Sequence, residues 1–424
     1  MIRCVTMKNI LILPICLIAL NAHSNASGFD TKVEASLRNF ANTQTTQDIS
    51  LNSTYSFKPK NELNSKPKFE VKLLGYLENT KSSEIYIDVP KIAYRYSFNS
   101  NSFLTAGRFH PLEELDNSYK ANYLDSIGNS WVINEQNPLK TENVGWIGVA
   151  QNYKISKHFR VNFTYSPVFI PDMSPSIYYT KDKLPSSQSL FARTPPSKVK
   201  INNNLYLPLM ISLDNVNLKE ILLQNQAFIG LNYRSSKDFS VSLFAYTAPN
   251  SVAETNNKEK LVIQNKDLHI LVNASPYFKR EHNIGFSLNR KILSIESLYK
   301  IDTRKLTLSS SLQMTNNIQI GFLHSFNDSQ NNADATIITS TKDEKLVWLK
   351  SNFRVFENFE ISSNIIKNLD TVNNGVSLNI GASYNVFKNV NIFTQAQVFT
   401  GSDNSYYGTW RNLDFISTGI TAKW

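Results

Sequence analysis

The histidines of this chain are not spaced for catalysis or for binding a metal ion. No two of them stand at i and i+2, which would place two ligands on one face of a strand, and there is no HExxH motif. Ser325 follows His324 directly, so in a strand the two side chains point to opposite faces. We therefore expect no enzyme, no catalytic or metal-binding residue and no cofactor. The histidines beyond residue 26 are His110, His158, His269, His282 and His324.

Charged residues in two long segments are of the kind that selects ions by electrostatic attraction, and they do not form a catalytic arrangement. Segment 109–143, the acidic segment, follows Arg108 in the sequence AGRFHP. Segment 169–226, the basic segment, carries cations around Pro195-Pro196. If the two face each other across an aqueous opening, their charges set a transverse field there. The candidate residues for such a constriction are Arg108, Asp116, Arg193, Lys198 and Lys200.

Both segments have a second interpretation. The acidic segment could be an exposed loop that binds divalent cations. The basic segment could form a cap outside the opening, or it could fold into the opening. The apolar cluster between Leu205 and Leu213 indicates that the basic segment packs against something. Arg108 shares a face of its strand with Leu104 and Ala106, which counts against a position in the opening unless a bulge intervenes.

The elements that must position these segments are strands of about ten residues. The clearest runs from Val376 to Val386, with apolar residues at even positions and Ser, Asn or Gly at odd positions. Segments 306–314 and 390–398 alternate in a similar way. The polar faces carry uncharged Ser, Thr, Asn and Gln. Such faces favour contact with confined water over the open solvent that a soluble sandwich meets.

A short repeat joins several of these strands. Its form is an aromatic residue, two variable positions, a short polar stretch and then renewed alternation, which predicts a tight turn with aromatics at the level of a lipid headgroup belt. An ordinary hairpin in a soluble meander is the alternative. The other connections are longer, so short turns and long loops are expected at opposite ends. The copies are YKISKHFRV (153–161), YRSSKDFSV (233–241), FRVFENFEI (353–361) and YNVFKNVNI (384–392).

The final twelve residues, LDFISTGITAKW, also alternate and end on an aromatic residue, Trp424. This strand resembles the closing strand of Gram-negative outer-membrane β-barrels, in which the terminal aromatic strand is the insertion signal for the barrel assembly machinery. The tight turns are similar to the periplasmic turns of the same barrels. The resemblance implies that Trp424 is an assembly signal. It covers the chain after the leader by pattern, and no specific porin family is matched.

Residues 1–26 have the features of a secretory signal peptide. Lys8 supplies the positive charge, and the apolar run from Ile10 to Leu20 is shorter than the ~20 residues of a spanning helix. Both cysteines, Cys4 and Cys16, lie in this leader. We expect residues 27–424 to form one barrel domain that reaches the bacterial outer membrane through the periplasm after the leader is cleaved.

The composition agrees with such a barrel. Charged residues make up 18% and aromatic residues 12% of the chain, and the formal net charge is +10. Few charges with many aromatics are typical of a wall with a lipid-facing side. The positive charge is scattered along the chain rather than clustered, so nucleic acid is not an expected partner.

The porin-like resemblance implies an all-β fold, a single transmembrane antiparallel up-and-down β-barrel. Counting strands from the repeated turns, with an even total, predicts about 18–20 strands with about 16 as the lower count. The least certain strands are 260–264 and 290–300. The implied function is passive diffusion of small hydrophilic solutes, with anions favoured by the basic balance. A loop-closed barrel that acts as an adhesin or structural surface protein is the alternative, followed by a barrel enzyme. Expected partners are outer-membrane lipid and lipopolysaccharide, the assembly machinery and the solutes, and a homotrimer is left open.

Overall fold

A computed structural model describes the greater part of the chain after residue 28. No helix in the described ranges is long and apolar enough to span a membrane. The predicted signal peptide, 1–26, lies outside these ranges. They are 29–40, 45–57, 68–79, 83–115, 145–171, 178–179, 185–186, 198–200, 206–213, 217–236, 239–250, 254–264, 267–327, 344–369, 374–401, 407 and 414–423.

Eighteen strands form one sheet in which each strand pairs antiparallel with its neighbours. Strand β24 also pairs with β1, from Lys423 opposite Lys32 to Phe415 opposite Phe40, so the ring of pairings closes. The wall strands are β1 (Phe29–Phe40), β2 (Thr45–Phe57), β3 (Lys68–Asn79), β4 (Ser83–Ser97), β5 (Ser102–Phe109), β6 (Trp146–Lys154), β7 (Phe159–Val168), β12 (Gln226–Ser236), β13 (Phe239–Pro249), β16 (Arg280–Arg290), β17 (Leu293–Lys300), β18 (Lys305–Thr315), β19 (Ile318–Asn327), β20 (Glu344–Phe356), β21 (Phe359–Asn368), β22 (Gly375–Phe387), β23 (Val390–Gly401) and β24 (Phe415–Lys423).

The wall has an apolar outer face and a polar inner face. In β24, Ile416 and Ile420 are exposed, whereas Ser417 and Thr421 are buried. Successive side chains of a strand point to opposite faces, so the exposed apolar residues and the buried polar residues lie on opposite sides of the wall. This confirms the predicted antiparallel up-and-down barrel, with a strand count at the lower end of 18–20.

Two-residue connections define one end of the barrel, called here the turn end. Strands β20 and β21 are joined by residues 357–358, and β22 and β23 by residues 388–389. In each hairpin the register shifts next to the turn and leaves one extra residue, Val355 or Val386. The bulge strengthens the strand twist and keeps Phe356 and Phe387 about 70% exposed. The repeat thus forms tight turns with exposed aromatics, as predicted.

The longest connections, such as those after β5, β7 and β13, leave the barrel at the opposite end, called here the loop end, because successive strands alternate in direction. Helix α1 (Pro111–Leu115) follows β5, and helix α2 (Leu218–Leu222) precedes β12. The other strands of these connections are β8 (Tyr178–Tyr179), β9 (Pro185–Ser186), β10 (Lys198–Lys200), β11 (Tyr206–Leu213), β14 (Glu254–Gln264) and β15 (Asp267–Tyr277).

A second sheet of four strands, β10-β11-β15-β14, is separate from the wall sheet. The basic segment supplies β11, which pairs parallel with β15 of the connection between β13 and β16. Residues 260–264 therefore belong to this sheet and are not a barrel strand, whereas 290–300 contributes β17 to the wall. As the sequence indicated, the apolar residues of the basic segment pack; the cluster consists of Leu207, Leu209, Ile211, Ile270, Val272 and Ala274.

Candidate pore constriction

Helix α1 lies inside the barrel, against the inner face of β6, β7 and β12. Its Leu112 and Leu115 form a buried apolar cluster with Phe228 and Phe244 of the wall. Phe228 faces inward because Ile229, the next residue, is 53% exposed on the outer face. The described start of the acidic segment, up to Leu115, therefore folds into the interior directly after β5.

A glycine of the wall makes room for the helix. A Cβ atom at Gly230 would lie 2.6 Å from Cδ2 of Leu115 and 2.9 Å from the ring of Phe228. Any side chain at this position would push α1 away from the wall. The leucine side chain occupies that space instead, and burying each leucine contributes about 1.5–3 kcal/mol to holding the helix.

The carboxylate of Glu114 holds the other side of α1. Both of its oxygens lie 2.7 Å from Nη2 of Arg95, an inward residue of β4. Thr105 Oγ1 donates to Oε2 of Glu114 at 2.8 Å, and Asn152 Nδ2 donates to the same oxygen at 3.4 Å. Glu114 is only 2% exposed, whereas Arg95 is 23% exposed. The ion pair between Glu114 and Arg95, called here the clamp, therefore holds one side of the helix, and the two leucines hold the other side.

The clamp continues into a polar network on the neighbouring strands. Asn162 of β7 donates to Oδ1 of Asn152 at 2.9 Å, and Thr164 donates to Oδ1 of Asn162 at 2.8 Å. Asn162 and Thr164 are fully buried. Because low dielectric strengthens hydrogen bonds in such a chain, the network fixes the Asn152 amide that reaches Glu114.

Four cations on the inner face have a carboxylate nearby. Besides the clamp, three ion pairs join inward residues across or along strands. They are Lys32 with Glu34 at 2.9 Å, Lys91 with Glu70 at 3.2 Å and Lys300 with Glu281 at 2.9 Å. Paired charges of this kind present both signs to a passing ion and leave little net field of their own.

Arg108 is buried at the loop end of β5. It pairs with Ile92 and Ile147, which are both exposed, so it shares their side of the wall. Its Nη1 donates to the carbonyl of Val89 at 2.8 Å and its Nε to that of Gly145 at 3.2 Å. The guanidinium thus ties β4 and the end of the connection before β6 to β5.

The hydrogen bonds and ion pairs given above do not include the other candidate residues that the sequence suggested. Asp116, Arg193 and Trp424 lie outside the described residues. Lys198 and Lys200 lie in β10, where the backbone alone is described. Their roles stay predictions. The residue that sequence reasoning missed is Arg95, although a cation that alternates with Tyr94 and Tyr96 is a signal for an inward charge.

Comparisons with known proteins give similarity in fold at very low sequence identity. No protein-family model and no curated protein matches the chain. Among solved structures, Pseudomonas aeruginosa OccK5 (OpdH) is 9% identical with a TM-score of 0.47, over 94% of this chain and 96% of that one. Salmonella typhi OmpF in complex with daunomycin is 10% identical with a TM-score of 0.43, over 93% and 97%. A triple mutant of Rhodopseudomonas blastica porin is 9% identical with a TM-score of 0.40, over 93% and 99%.

Proposed function

We propose that this protein is a channel for the passive diffusion of small hydrophilic solutes across a bacterial outer membrane. The observation that carries the proposal is the arrangement of the wall. On β7, Phe163 and Tyr165 are 54% and 41% exposed, whereas Asn162, Thr164 and Ser166 on the other face are fully buried. A soluble barrel would place its apolar face inside.

The closed ring supports a position in a membrane. Each wall strand has two partners, so the backbone groups along the wall are paired without water. A barrel of this strand number is wide enough to leave an aqueous channel unless something fills it. The apolar band then contacts lipid, and the exposed aromatics of the turn end meet the headgroups.

Helix α1 gives the channel its narrowing in this proposal. It occupies interior space over β6, β7 and β12, so solutes pass along the side of the barrel that it leaves free. The sieving limit is then set by α1 and not by the basic segment alone. Solutes move down their gradient, and no residue changes them chemically.

Ion preference, route and partners belong to the same proposal. The basic residues Arg193, Lys198 and Lys200 of the loop end, with the basic balance of the chain, favour anions. The leader 1–26 takes the chain to the periplasm, and Trp424 presents the last strand to the assembly machinery. Lipopolysaccharide would surround the loop end, and assembly as a homotrimer is compatible with the open outer face.

A loop-closed barrel that acts as an adhesin or surface protein is the second candidate. The four-stranded sheet at the loop end favours it, because β11 and β15 give that end a packed apolar cluster of its own. Such a sheet is either a mobile rim or a cover over the opening. The difference between the two functions lies in whether ions cross the barrel.

Ion conductance of the purified, refolded protein in a planar bilayer tests the proposal. A tenfold salt gradient gives the ion preference from the reversal potential. Discrete steps with a reversal potential on the anion side are expected. Steps with cation preference would support a channel but contradict anion selection by the basic residues. A folded barrel that never conducts would refute diffusion and favour the loop-closed alternative.

A further inference from the structure

Three basic residues lie close together on the outer, apolar face of the wall near the loop end. His324 of β19 lies directly opposite Lys345 of β20. Lys367 of β21 lies opposite Val347, which follows two residues after Lys345 and shares its face. Each basic residue is at most three residues from the loop end of its strand, a distance of about 10 Å. We call this set, His324, Lys345 and Lys367, the outer basic cluster.

The outward direction of the cluster follows from the residues next to it in each strand. Leu323 and Ser325 flank His324 and are buried inside the barrel, at 0% and 1% exposure. Leu346 and Ile366, the neighbours of the two lysines, are each 7% exposed. Both lysines are exposed. Because successive residues of a strand point to opposite faces, the three basic side chains belong to the outer face.

Apolar side chains surround the cluster on the same face. The ring of His324 lies 3.7 Å from the ring of Phe326 and 6.1 Å from the ring of Phe322, centroid to centroid. Phe322 and Phe326 are 40% and 42% exposed, and Leu369, two residues beyond Lys367, is 45% exposed. In the proposed membrane position, the cluster therefore lies within the surface that contacts acyl chains.

Cations on a lipid-facing wall cost free energy, and the cost falls from the bilayer midplane towards the interface. Lysine stems lie along apolar surface and carry their ammonium groups to the level of the lipid headgroups. The wall does not need cations there, since the outer positions of β6 are Ile147, Val149, Gln151 and Tyr153. An anionic headgroup beside the cluster offsets the cost that β6 avoids.

The dimensions of the cluster suit a phosphorylated headgroup. Neighbouring strands are about 4.7–4.9 Å apart, so a cluster on three strands spans about 10 Å. The two ammonium groups and the imidazole N–H all donate hydrogen bonds, and phosphate oxygens accept them. A lipid that carries phosphate and acyl chains matches both the cations and the apolar side chains around them.

We propose that the outer basic cluster docks the phosphorylated headgroup of a lipid in the outer leaflet, with the acyl chains along Phe322 and Val347. The proposal rests on the proposed function, which places the loop end in that leaflet, and deepens it by giving lipopolysaccharide a defined contact on the wall. The probe is lipid A, the phosphorylated and acylated anchor of lipopolysaccharide.

The test compares lipid A binding by wild type and by the double variant Lys345→Gln/Lys367→Gln, both refolded in detergent. Each lysine near an anionic lipid surface contributes about fivefold in affinity, so the double variant should bind about 30-fold more weakly. Lys345→Arg/Lys367→Arg keeps both charges and should keep binding. Lipid A stripped of its phosphates, with the same acyl chains, should bind wild type as weakly as the double variant binds intact lipid A.

Arg290→Gln is the matched control, because Arg290 lies on the outer face at the turn end of β16, opposite Phe239. It removes one outer cation and should leave lipid A binding unchanged. An unaltered double variant, or equal binding of lipid A with and without phosphates, would overturn the docking site. Displacement of lipid A by inorganic phosphate at the same concentration would indicate a site for free anions and would also overturn it.

Conductance in a phosphatidylcholine bilayer without lipid A separates this proposal from the channel function. The double variant should conduct as wild type does, because its substitutions lie outside the lumen. Lipid A binding that the double variant loses, in a barrel that never conducts, would refute diffusion and support the docking site. Conductance with equal lipid A binding by both proteins would refute the docking site and support diffusion.

Discussion

The substitution Glu114→Ala tests whether α1 sets the width of the channel. It removes the carboxylate that lies 2.7 Å from Arg95 and 2.8 Å from Thr105. Breaking a buried ion pair from one side costs about 3–5 kcal/mol. Because Arg95 is 23% exposed, water recovers part of this, and a loss of about 2–4 kcal/mol is expected. Leu112 and Leu115 still hold the helix with about 3–6 kcal/mol together.

The undocked population of α1 should therefore rise about 30- to 800-fold, while the wall stays folded. Single-channel recordings should show larger substates and more current noise, and the amides of α1 should exchange hydrogen faster. Glu281→Ala is the control, since it breaks the Lys300 pair at 2.9 Å with the same change of charge and no contact to the helix. An unchanged current in Glu114→Ala, or an equal change in Glu281→Ala, would refute the clamp.

Two further predictions concern the wall. Gly321→Ala places a Cβ 1.9 Å from the ring of Trp348 and should cost about 1–3 kcal/mol of unfolding free energy; Gly381→Ala meets only a serine hydroxyl and should shift the urea midpoint less. Burial raises the pKa of the Asp414 carboxyl above 3.8 despite the hydrogen bond from the N–H of Phe399. The folded state then holds its proton longer, so unfolding free energy should fall as pH rises above 3.8. Asp414→Asn keeps an oxygen acceptor and should flatten that slope; an identical slope would contradict it.

The wall could be predicted from sequence because its determinants are local. Alternation needs only neighbouring residues, and the turns repeat one short pattern. The structure realises it as a two-residue connection with a bulge after β12, β20 and β22, and as a four-residue connection between β6 and β7. The strand count was less secure. Segment 254–264 lies in the second sheet, because its strand pairs with 267–277, which in turn pairs parallel with a segment more than fifty residues earlier. A local pattern does not reveal that partner.

The candidate constriction could be predicted only in part. The sequence made the acidic segment a candidate either to face the opening or to form an exposed loop, and it did not single out Glu114 from the other acids. The ion pair of Glu114 needs Arg95, which lies on an earlier strand. The leucines of the same helix pack against Phe228, which comes more than a hundred residues later. The inward charge between two tyrosines was readable in β4. The direction in which α1 turns was not, since it follows from packing of distant residues.

Apolar residues on the inner face are the clearest departure from the rule that such a wall is polar inside. Phe228 and Phe244 would cost free energy if they faced channel water, yet they are 3% and 8% exposed because α1 covers them. Trp348 is 4% exposed and lies against Gly321 of the neighbouring strand. These inward aromatic residues therefore mark places where the interior is packed, by the folded-in helix at Phe228 and Phe244 and by a glycine on the next strand at Trp348. In the proposed channel, water would therefore be left to the polar parts of the inner face, and ions would cross the barrel on that side.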